Sequence, residues 1–254
     1  MNNIVRVLGL SLVIILSTGC ASNQEKSAAS PDPIEPANRA FFSFNEGLDK
    51  HLIKPIAEGY VSVTPAPVRS AVTNFFNNLA YLNVVLHSFL QGKFSQGFSD
   101  AGRFVMNSTL GIGGLFDVAT DAGLERHQED FGQTLATWGV DRGSYLYLPV
   151  RGPNTVRNLP DIATSLFTNP AFYISGAVLF PVTALNVINI RANLLDATAI
   201  RDEAAVDPYS FTREAYLQQR EYLIHDGNPP TDGYDDIFDD EGGFDGEDDV
   251  LVIE

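Results

Sequence analysis

Residues 70–92 read SAVTNFFNNLAYLNVVLHSFLQG and carry no formal charge at any of their 23 positions. Large apolar side chains recur along this stretch with helical spacing and would cover most of a helix circumference. They are Val72, Phe75, Phe76, Leu79, Leu82, Val85, Leu86 and Phe89, and asparagines interrupt them at 74, 77, 78 and 83. The preceding Pro65-Ala66-Pro67 favours a helix start. A helix that is apolar nearly all round is buried in protein or in lipid.

A second helix is predicted over residues 94–109, and its polar residues fall on one face. They are Gln96, Asp100, Arg103 and Asn107, spaced four, three and four residues apart. This face could meet solvent, or it could line an amphipathic passage. The second alternative is favoured because the neighbouring helical segments are too apolar for a bundle surrounded by water. Arg103 is the candidate for a phosphate contact, and an ion pair with Asp100 is the rival role.

A helix over residues 36–52 is predicted before this pair, with Asn38, Asn45 and Asp49 along one stripe. We expect it to end before Pro55, because proline interrupts helices. Residues 137–153 hold several glycines and prolines and read as a loop or a short extended segment.

The longest uncharged run covers residues 162–190. Pro170 and Pro181 divide it, so two short apolar helices with a turn at Pro181 are predicted rather than one transmembrane helix. Such a hairpin could dip into a membrane without crossing it. A last helix is expected from Asp207-Pro208 to about Ile224. The predicted fold class is mostly α, with few or no strands.

The two ends of the chain have different characters. Residues 1–19 resemble a secretory signal peptide, with Arg6 before a short apolar core. Cys20, the sole cysteine, follows small residues as in the lipobox of bacterial lipoproteins. The alternative is an ordinary signal peptide with a chance cysteine. Residues 20–36 read as a lipidated tether and residues 37–227 as the folded body. Residues 228–254 form an acidic tail that is expected to be disordered.

Charge and motifs exclude several classes of function. The net charge of −16 is concentrated in residues 231–254, which hold 11 acidic and no basic residues. Nucleic acid is disfavoured as a partner, because its binding needs clustered lysine and arginine. No two histidines have the spacing of a helical metal pair, and residues 127–130 read as a solvated turn. There is no G-x-S-x-G nucleophile motif. We therefore predict no catalytic residue, metal or cofactor.

Short motifs in a fixed order across residues 32–227 resemble the VacJ/MlaA family of outer-membrane lipoproteins. They are Asp32-Pro33-Ile34-Glu35, Asn38-Arg39, Phe44-Asn45, Asp49, Lys54-Pro55, Val68-Arg69, Asn74-Phe75, Asn78-Leu79, Phe89-Leu90-Gln91-Gly92, Arg103-Phe104, Asn107-Ser108-Thr109-Leu110-Gly111-Ile112-Gly113-Gly114, Phe116-Asp117, Phe131-Gly132-Gln133-Thr134-Leu135, Trp138-Gly139-Val140, Leu148-Pro149, Gly152-Pro153, Arg191, Leu194-Leu195-Asp196, Asp207-Pro208-Tyr209 and Arg213-Glu214-Ala215-Tyr216.

The resemblance implies a ring of helices embedded in the inner leaflet of the outer membrane, around a central pore for phospholipid. Its implied partners are trimeric porins and a soluble periplasmic lipid carrier, and no catalysis is involved. Asn38, Asn45 and Asp49, with the polar face of residues 94–109, would line the passage.

A loop holding Gly139, Gly143 and Tyr145 would gate that passage. Asp141 stands where the family has a glycine, which strengthens the rival reading of a fixed turn. The function implied is removal of mislocalised phospholipid from the outer leaflet and its delivery to the carrier. The alternatives are a porin scaffold without transport and, from the enzyme class, a lipid hydrolase.

Overall fold

The computed structural model describes residues 32–174 and 176–230 of the chain. The predicted signal peptide, Cys20 and nearly all of the acidic tail lie outside the described residues. The described body begins before residue 37, because Asp32 is already buried and accepts a hydrogen bond from the Asn38 amide at 2.7 Å. The last residues of the predicted tether are therefore packed against the body.

Three consecutive helical segments open the fold. Helix α1 (Glu35–Leu48) passes into a π-helical turn (Asp49–Ile53) and then into α2 (Lys54–Val63). The predicted end of the helix before Pro55 is wrong. Pro55 lies in the first turn of α2, directly after the π-helical turn, and the chain stays helical across it.

The two helices predicted from residues 70–92 and 94–109 are confirmed. Helix α3 covers Ala66–Leu90 and α4 covers Phe94–Thr109, and they pack against each other as a hairpin. Their close approach depends on Gly97. A Cβ atom at this position would lie 3.0 Å from the ring of Phe89.

Short elements fill the middle of the chain. They are α5 (Val118–Asp121), α6 (Phe131–Thr137), β1 (Tyr145–Leu148) and β2 (Gly152–Thr155). The two strands form an antiparallel hairpin with Tyr145 opposite Thr155. The prediction of a short extended segment here is confirmed, and the mostly α fold class holds.

The apolar run at 162–190 contains α7 (Asp161–Thr168), a 3₁₀ turn (Pro170–Tyr173) and most of α8 (Gly176–Asn193). The predicted turn at Pro181 is wrong, because the chain bends at Asn169 and the residues that follow. The Asn169 side chain accepts a hydrogen bond from the Ala171 N–H at 2.9 Å and so starts the turn. Pro181 lies inside α8 soon after its start, where it removes one helical hydrogen bond.

Helices α9 (Leu195–Ala204) and α10 (Pro208–Ile224) complete the described chain. The side chain of Asp207 accepts from the Tyr209 N–H and caps α10 as predicted. Within the described residues no single helix has the length and apolarity needed to cross a membrane. The segment Val178–Asn193 and α9, bent by 47°, would satisfy both criteria only as a pair.

Contacts between the elements close into a cycle. Helix α1 continues through the π turn to α2, α2 packs on α8, and α8 packs on α3. Helix α3 then contacts α6, α6 contacts α10, α10 contacts β2, and β1 returns to α1. The arrangement is therefore ring-like, with α4 packed on the side of α3.

The polarity of this body is inverted relative to a water-soluble domain. Among the described residues, seventeen buried side chains are polar or charged and nine are apolar or aromatic, of which four are tyrosines. Large apolar side chains are instead exposed all along the helices, for example Phe98 at 71%, Phe180 at 78% and Phe41 at 42%. Extensive exposed apolar surface is typical of proteins that contact a membrane or another protein there.

Candidate functional site

The buried polar residues form connected networks, and Asp100 on α4 is the centre of the first. Its carboxylate accepts from the Tyr81 hydroxyl at 2.8 Å and from the Ser88 hydroxyl at 2.9 Å. The Nδ1 atom of His127 lies 2.8 Å from the same carboxylate. Asp100 is 0% exposed. The polar face of α4 thus meets protein partners here rather than solvent.

Arg103 and Asn107 continue this face toward α5. Arg103 donates to the Asp117 carboxylate, to the Thr120 hydroxyl at 2.9 Å and to the Leu124 carbonyl. Asn107 donates to Asp117 at 3.0 Å. The ion-pair partner of Arg103 is therefore Asp117 and not Asp100, because α5 folds back onto the polar face of α4. With its donors occupied inside the protein, Arg103 is poorly placed for a phosphate.

The prediction of a solvated turn at residues 127–130 is wrong. The carboxylates of Glu129 and Asp130, which precede α6, bind other parts of the protein. Glu129 is 5% exposed and accepts from Gln91, Lys93 and Gln96 at 2.7 to 3.0 Å. Asp130 accepts from both terminal nitrogens of Arg220 on α10. Both carboxylates join elements that are distant in sequence. Groups of three or more metal-ligating residues are absent from the described parts of the chain.

Burial and pairing change the acidities in these networks. Burial alone would raise the pKa of Asp117, but hydrogen bonds from Asn107 and Thr120 and the charge of Arg103 lower it. Asp130 behaves in the same way, because Arg220 outweighs burial and lowers its pKa. Burial raises the pKa of Tyr81. The two carboxylates are therefore ionised at neutral pH, while the Tyr81 phenol is neutral.

Two adjoining polar cavities lie beside these networks and share the lining residues Asn77, Tyr81 and Arg126. The smaller one, about 20 Å³, also contacts Arg103 and Asn107. The larger one, about 240 Å³, extends between α3, α10 and the segment before α6. About 10–15 Å³ of such space holds one water molecule, so the larger cavity has room for a small polar group.

The predicted lining residues divide between these cavities and the framework. Arg103 and Asn107 line the smaller cavity, whereas Gln96 binds Glu129. Asn38 holds the hairpin by donating to the Tyr145 carbonyl at 3.1 Å and accepting from the Tyr147 N–H at 2.8 Å. Asn45 does the same with Leu148 and Val150.

Asp49 has a framework role as well. Its carboxylate accepts two hydrogen bonds from the guanidinium of Arg191, at 2.7 and 2.8 Å, and so ties the π-helical turn to α8. That Asn38, Asn45, Asp49 and Gln96 line the passage stays a prediction. Their hydrogen bonds already assign them to the assembly of the ring.

The predicted gating loop begins at a helix end and finishes in the core. Gly139 has a φ of 83°, and its N–H bonds the Ala136 carbonyl while the Val140 N–H bonds the Leu135 carbonyl. This is the Schellman arrangement, in which glycine ends a helix. Tyr145 is fully buried against Phe42 and Tyr209. Asp141 is exposed between these two ends. Gating by this loop stays a prediction, and Tyr145 would be its fixed end.

Alanine at either glycine of the loop tests whether it moves. We expect Gly139→Ala to lower the free energy of unfolding by about 1 kcal/mol, because a Cβ atom disfavours the left-handed backbone. Gly143→Ala should cost more, because its Cβ would also lie 2.9 Å from the Val156 Cβ atom. Thermal unfolding in detergent measures this cost. A gate predicts altered outer-leaflet phospholipid at unchanged protein abundance, and normal phospholipid with a destabilised protein would contradict it.

Sequence reasoning missed the residues that line the larger cavity, above all Arg126 and Gln133. Asn74, Asn78 and Tyr81, with Asn77 beside them, recur every three or four residues along α3, and all four line the smaller cavity. That polar row was a usable signal, because it marks one face of an otherwise apolar helix. Arg126 lies in an irregular segment, where no periodicity indicates which way a side chain points.

The sequence profile of the MlaA lipoprotein family matches residues 30–223. The chain belongs to this family. The resemblance inferred from the ordered motifs is thereby confirmed. A relative from Escherichia coli K12, named intermembrane phospholipid transport system lipoprotein MlaA, is 34% identical over 227 residues, which cover 88% of this chain and 90% of the relative. The Haemophilus influenzae protein of the same name is 31% identical over 229 residues, covering 87% and 91%.

Other relatives are named uncharacterized proteins. An uncharacterized protein of Rickettsia bellii is 37% identical over 195 residues, or 76% of each chain.

Among solved structures, one described as the structural basis for maintenance of bacterial outer membrane lipid asymmetry aligns with a TM-score of 0.67 at 34% identity. The alignment covers 76% of this chain and 98% of that one. The mostly helical fold is that of the family.

Proposed function

We propose that this protein is an outer-membrane lipoprotein that takes mislocalised phospholipid out of the outer leaflet and passes it toward the periplasm. The observation that carries the proposal is the inverted polarity of the described body. Its buried side chains are mainly polar, and its exposed side chains include many large apolar groups. The names of the relatives, which specify intermembrane phospholipid transport, support the same function.

A passage for phospholipid needs both of these properties. The charged headgroup must be solvated by polar groups as it moves, because burying an unpaired charge in hydrocarbon is very costly. The acyl chains need apolar contacts. The outer surface of the ring must also be apolar, because lipid tails surround it in place of water. The cavities beside Asn77 and Arg126 provide polar groups in the interior, and the exposed phenylalanines of α4 and α8 provide the apolar exterior.

The proposal also specifies how the chain is attached to the membrane and which proteins it works with. Cys20 would carry the lipid that anchors the chain to the periplasmic side of the outer membrane, with the body embedded in the inner leaflet. Triacylation exceeds the two signals needed for stable anchoring. A trimeric porin would surround or support the body, and a soluble periplasmic carrier would receive the lipid. No bond is made or broken, so the proposed function is transport and not catalysis.

The proposal is tested by closing the larger cavity without removing the protein. Ala80 lines this cavity and is exposed to it, so Ala80→Trp should obstruct the passage while leaving the fold intact. Ala199 is exposed on α9 and does not line either cavity, so Ala199→Trp is the matched control. Each variant would be expressed in cells that lack the gene, at levels equalised by immunoblot.

Outer-leaflet phospholipid, measured by its accessibility to added phospholipase on intact cells, is the readout. Deletion should raise it, and the wild type and Ala199→Trp should restore the normal level. Ala80→Trp should leave it raised. If Ala80→Trp restores the normal level as well as the wild type, the scaffold alternative is favoured over transport.

A further inference from the structure

The larger cavity contains one positive charge that the described protein leaves unmatched. Seven other arginines lie within 4.0 Å of a carboxylate in residues 32–174 and 176–230. They are Arg39, Arg103, Arg142, Arg191, Arg201, Arg213 and Arg220. Arg126 is exposed, lines both cavities, and has neither a hydrogen-bond nor an ion-pair partner among those residues. A free guanidinium is suited to bind a phosphate through paired N–H donors.

Gln133 lines the same cavity and carries an unmatched acceptor. Gln133 is 2% exposed, and its Nε2 atom donates to the Gln128 carbonyl at 3.0 Å. Its Oε1 atom is buried and has no partner within the described chain. A buried acceptor without a donor costs free energy, so a ligand that supplies an N–H group would be bound favourably.

Two carboxylates line the cavity together with Gln133. Glu129 and Asp130 both line the cavity, and each is held in place by cationic or amide donors. Arg220 is committed to Asp130, which leaves Arg126 as the cation available to an anion from outside. The cavity therefore offers a phosphate position at Arg126 and an ammonium position on the side of Gln133.

The geometry points to a binding site for a zwitterionic headgroup with a primary ammonium, that of phosphatidylethanolamine. Its phosphate would be bound by Arg126, and its ammonium would donate to Gln133 Oε1. This inference rests on the proposed function for the identity of the ligand as a lipid, and it adds the headgroup class and the two residues that recognise it. An anionic phosphatidylglycerol headgroup would share only the contact with Arg126.

Photocapture in detergent tests the site on the full-length lipoprotein. The probes are phosphatidylethanolamine and phosphatidylglycerol with the same photoreactive acyl chain. Arg126→Gln removes the charge of an exposed side chain and should lower capture of both lipids about tenfold, the usual scale for a hydrogen bond to a charged group. Arg151→Gln is the matched control. Arg151 is likewise exposed with no described partner, but it lies in the turn between the strands and should leave capture unchanged.

The second variant separates the ammonium from the phosphate. Gln133→Met should lower capture of phosphatidylethanolamine and leave phosphatidylglycerol unchanged. The ratio of the two lipids is read on one sample, so a partly misfolded preparation does not alter it. Equal capture by Arg126→Gln and the wild type overturns the site. An unchanged ratio in Gln133→Met overturns the ammonium assignment, and the Arg126 result is independent of any folding defect at the buried position.

Two further measurements distinguish a wrong headgroup assignment from a wrong proposed function. Soluble phosphoethanolamine should not displace the lipid at equal concentration. Displacement at that concentration would reassign the site to a small phosphate ester. If the headgroup assignment is wrong but the protein does transport phospholipid, the Arg126→Gln variant will lower outer-leaflet phospholipid to the same level as the wild type. If transport itself fails, Ala80→Trp will restore the normal level, whatever the capture experiment shows.

Discussion

Replacement of Arg220 by methionine is expected to lower the free energy of unfolding by about 3 kcal/mol, the lower end of the range for breaking a buried ion pair. Arg220 is 7% exposed on α10, and both its terminal nitrogens donate to Asp130, which precedes α6. The substitution leaves a carboxylate that is largely removed from water without its partner. For a chain of this size the midpoint of thermal unfolding should fall by about 10 °C.

The double variant Asp130→Asn with Arg220→Met is the control for this effect. It removes the uncompensated charge and should recover part of the lost stability, since much of the cost is desolvation of the remaining partner. Thermal unfolding of the detergent-solubilised protein measures both variants. Equal stability of Arg220→Met and the wild type would show that the pair does not hold α10 against the ring.

Acidification provides an independent view of the same pair. The pKa of Asp130 is lower in the folded protein than in the unfolded chain, so the folded state binds fewer protons. Its contribution to stability is present above the unfolded pKa of about 3.9 and is lost as the pH falls through the folded value. We expect the wild type to lose this contribution below about pH 4. Asp130→Asn should lack that part of the pH dependence.

Placing a charge on the exposed face of α8 is expected to release the protein from membranes. Phe180 is 78% exposed, and Val178, Leu185 and Ile190 on the same helix are also exposed. A charged side chain near the bilayer centre costs about 2.5–3.5 kcal/mol, which corresponds to roughly a hundredfold change in partitioning. Phe180→Asp should therefore shift the body from membrane to supernatant.

The lipid anchor must be removed for this effect to be visible, so the background is the unlipidated Cys20→Ala chain. Membranes would be washed with carbonate, and the released fraction would be measured by immunoblot. Phe180→Leu preserves the apolar surface and should stay bound like its parent. Retention of Phe180→Asp at the level of Phe180→Leu would mean that α8 is covered by protein and not by lipid.

Much of the helical framework could be predicted from residue patterns alone. The uncharged stretch at 70–92 and the polar face at 94–109 specify helices, because each pattern recurs with a period of about 3.6 residues. The predictions at Pro55 and Pro181 were wrong for one shared reason. A proline removes one helical hydrogen bond, and in both places the chain stays helical in spite of that loss.

The candidate site could be predicted only in part. Arg103 and Asn107 were found from their spacing, and both line a cavity. The role of Arg103 could not be predicted, because its partner Asp117 lies on a segment that turns back over α4 after the turn at residues 111–114. Glu129 was assigned to the surface since adjacent acidic residues usually lie there. Its burial depends on Gln91, Lys93 and Gln96, which only the folded chain brings to it.

The sequence by itself determined the family, the helical class and the distribution of polar and apolar residues along each helix. These properties are local, or they are read from motifs in a fixed order. Tertiary structure alone decided which face of each helix points inward. Because lipid can cover an apolar face as well as a protein core can, hydrophobicity does not specify the direction. The closing of the ring turned the polar faces inward, and this placed Arg126 and Gln133 on the wall of one cavity.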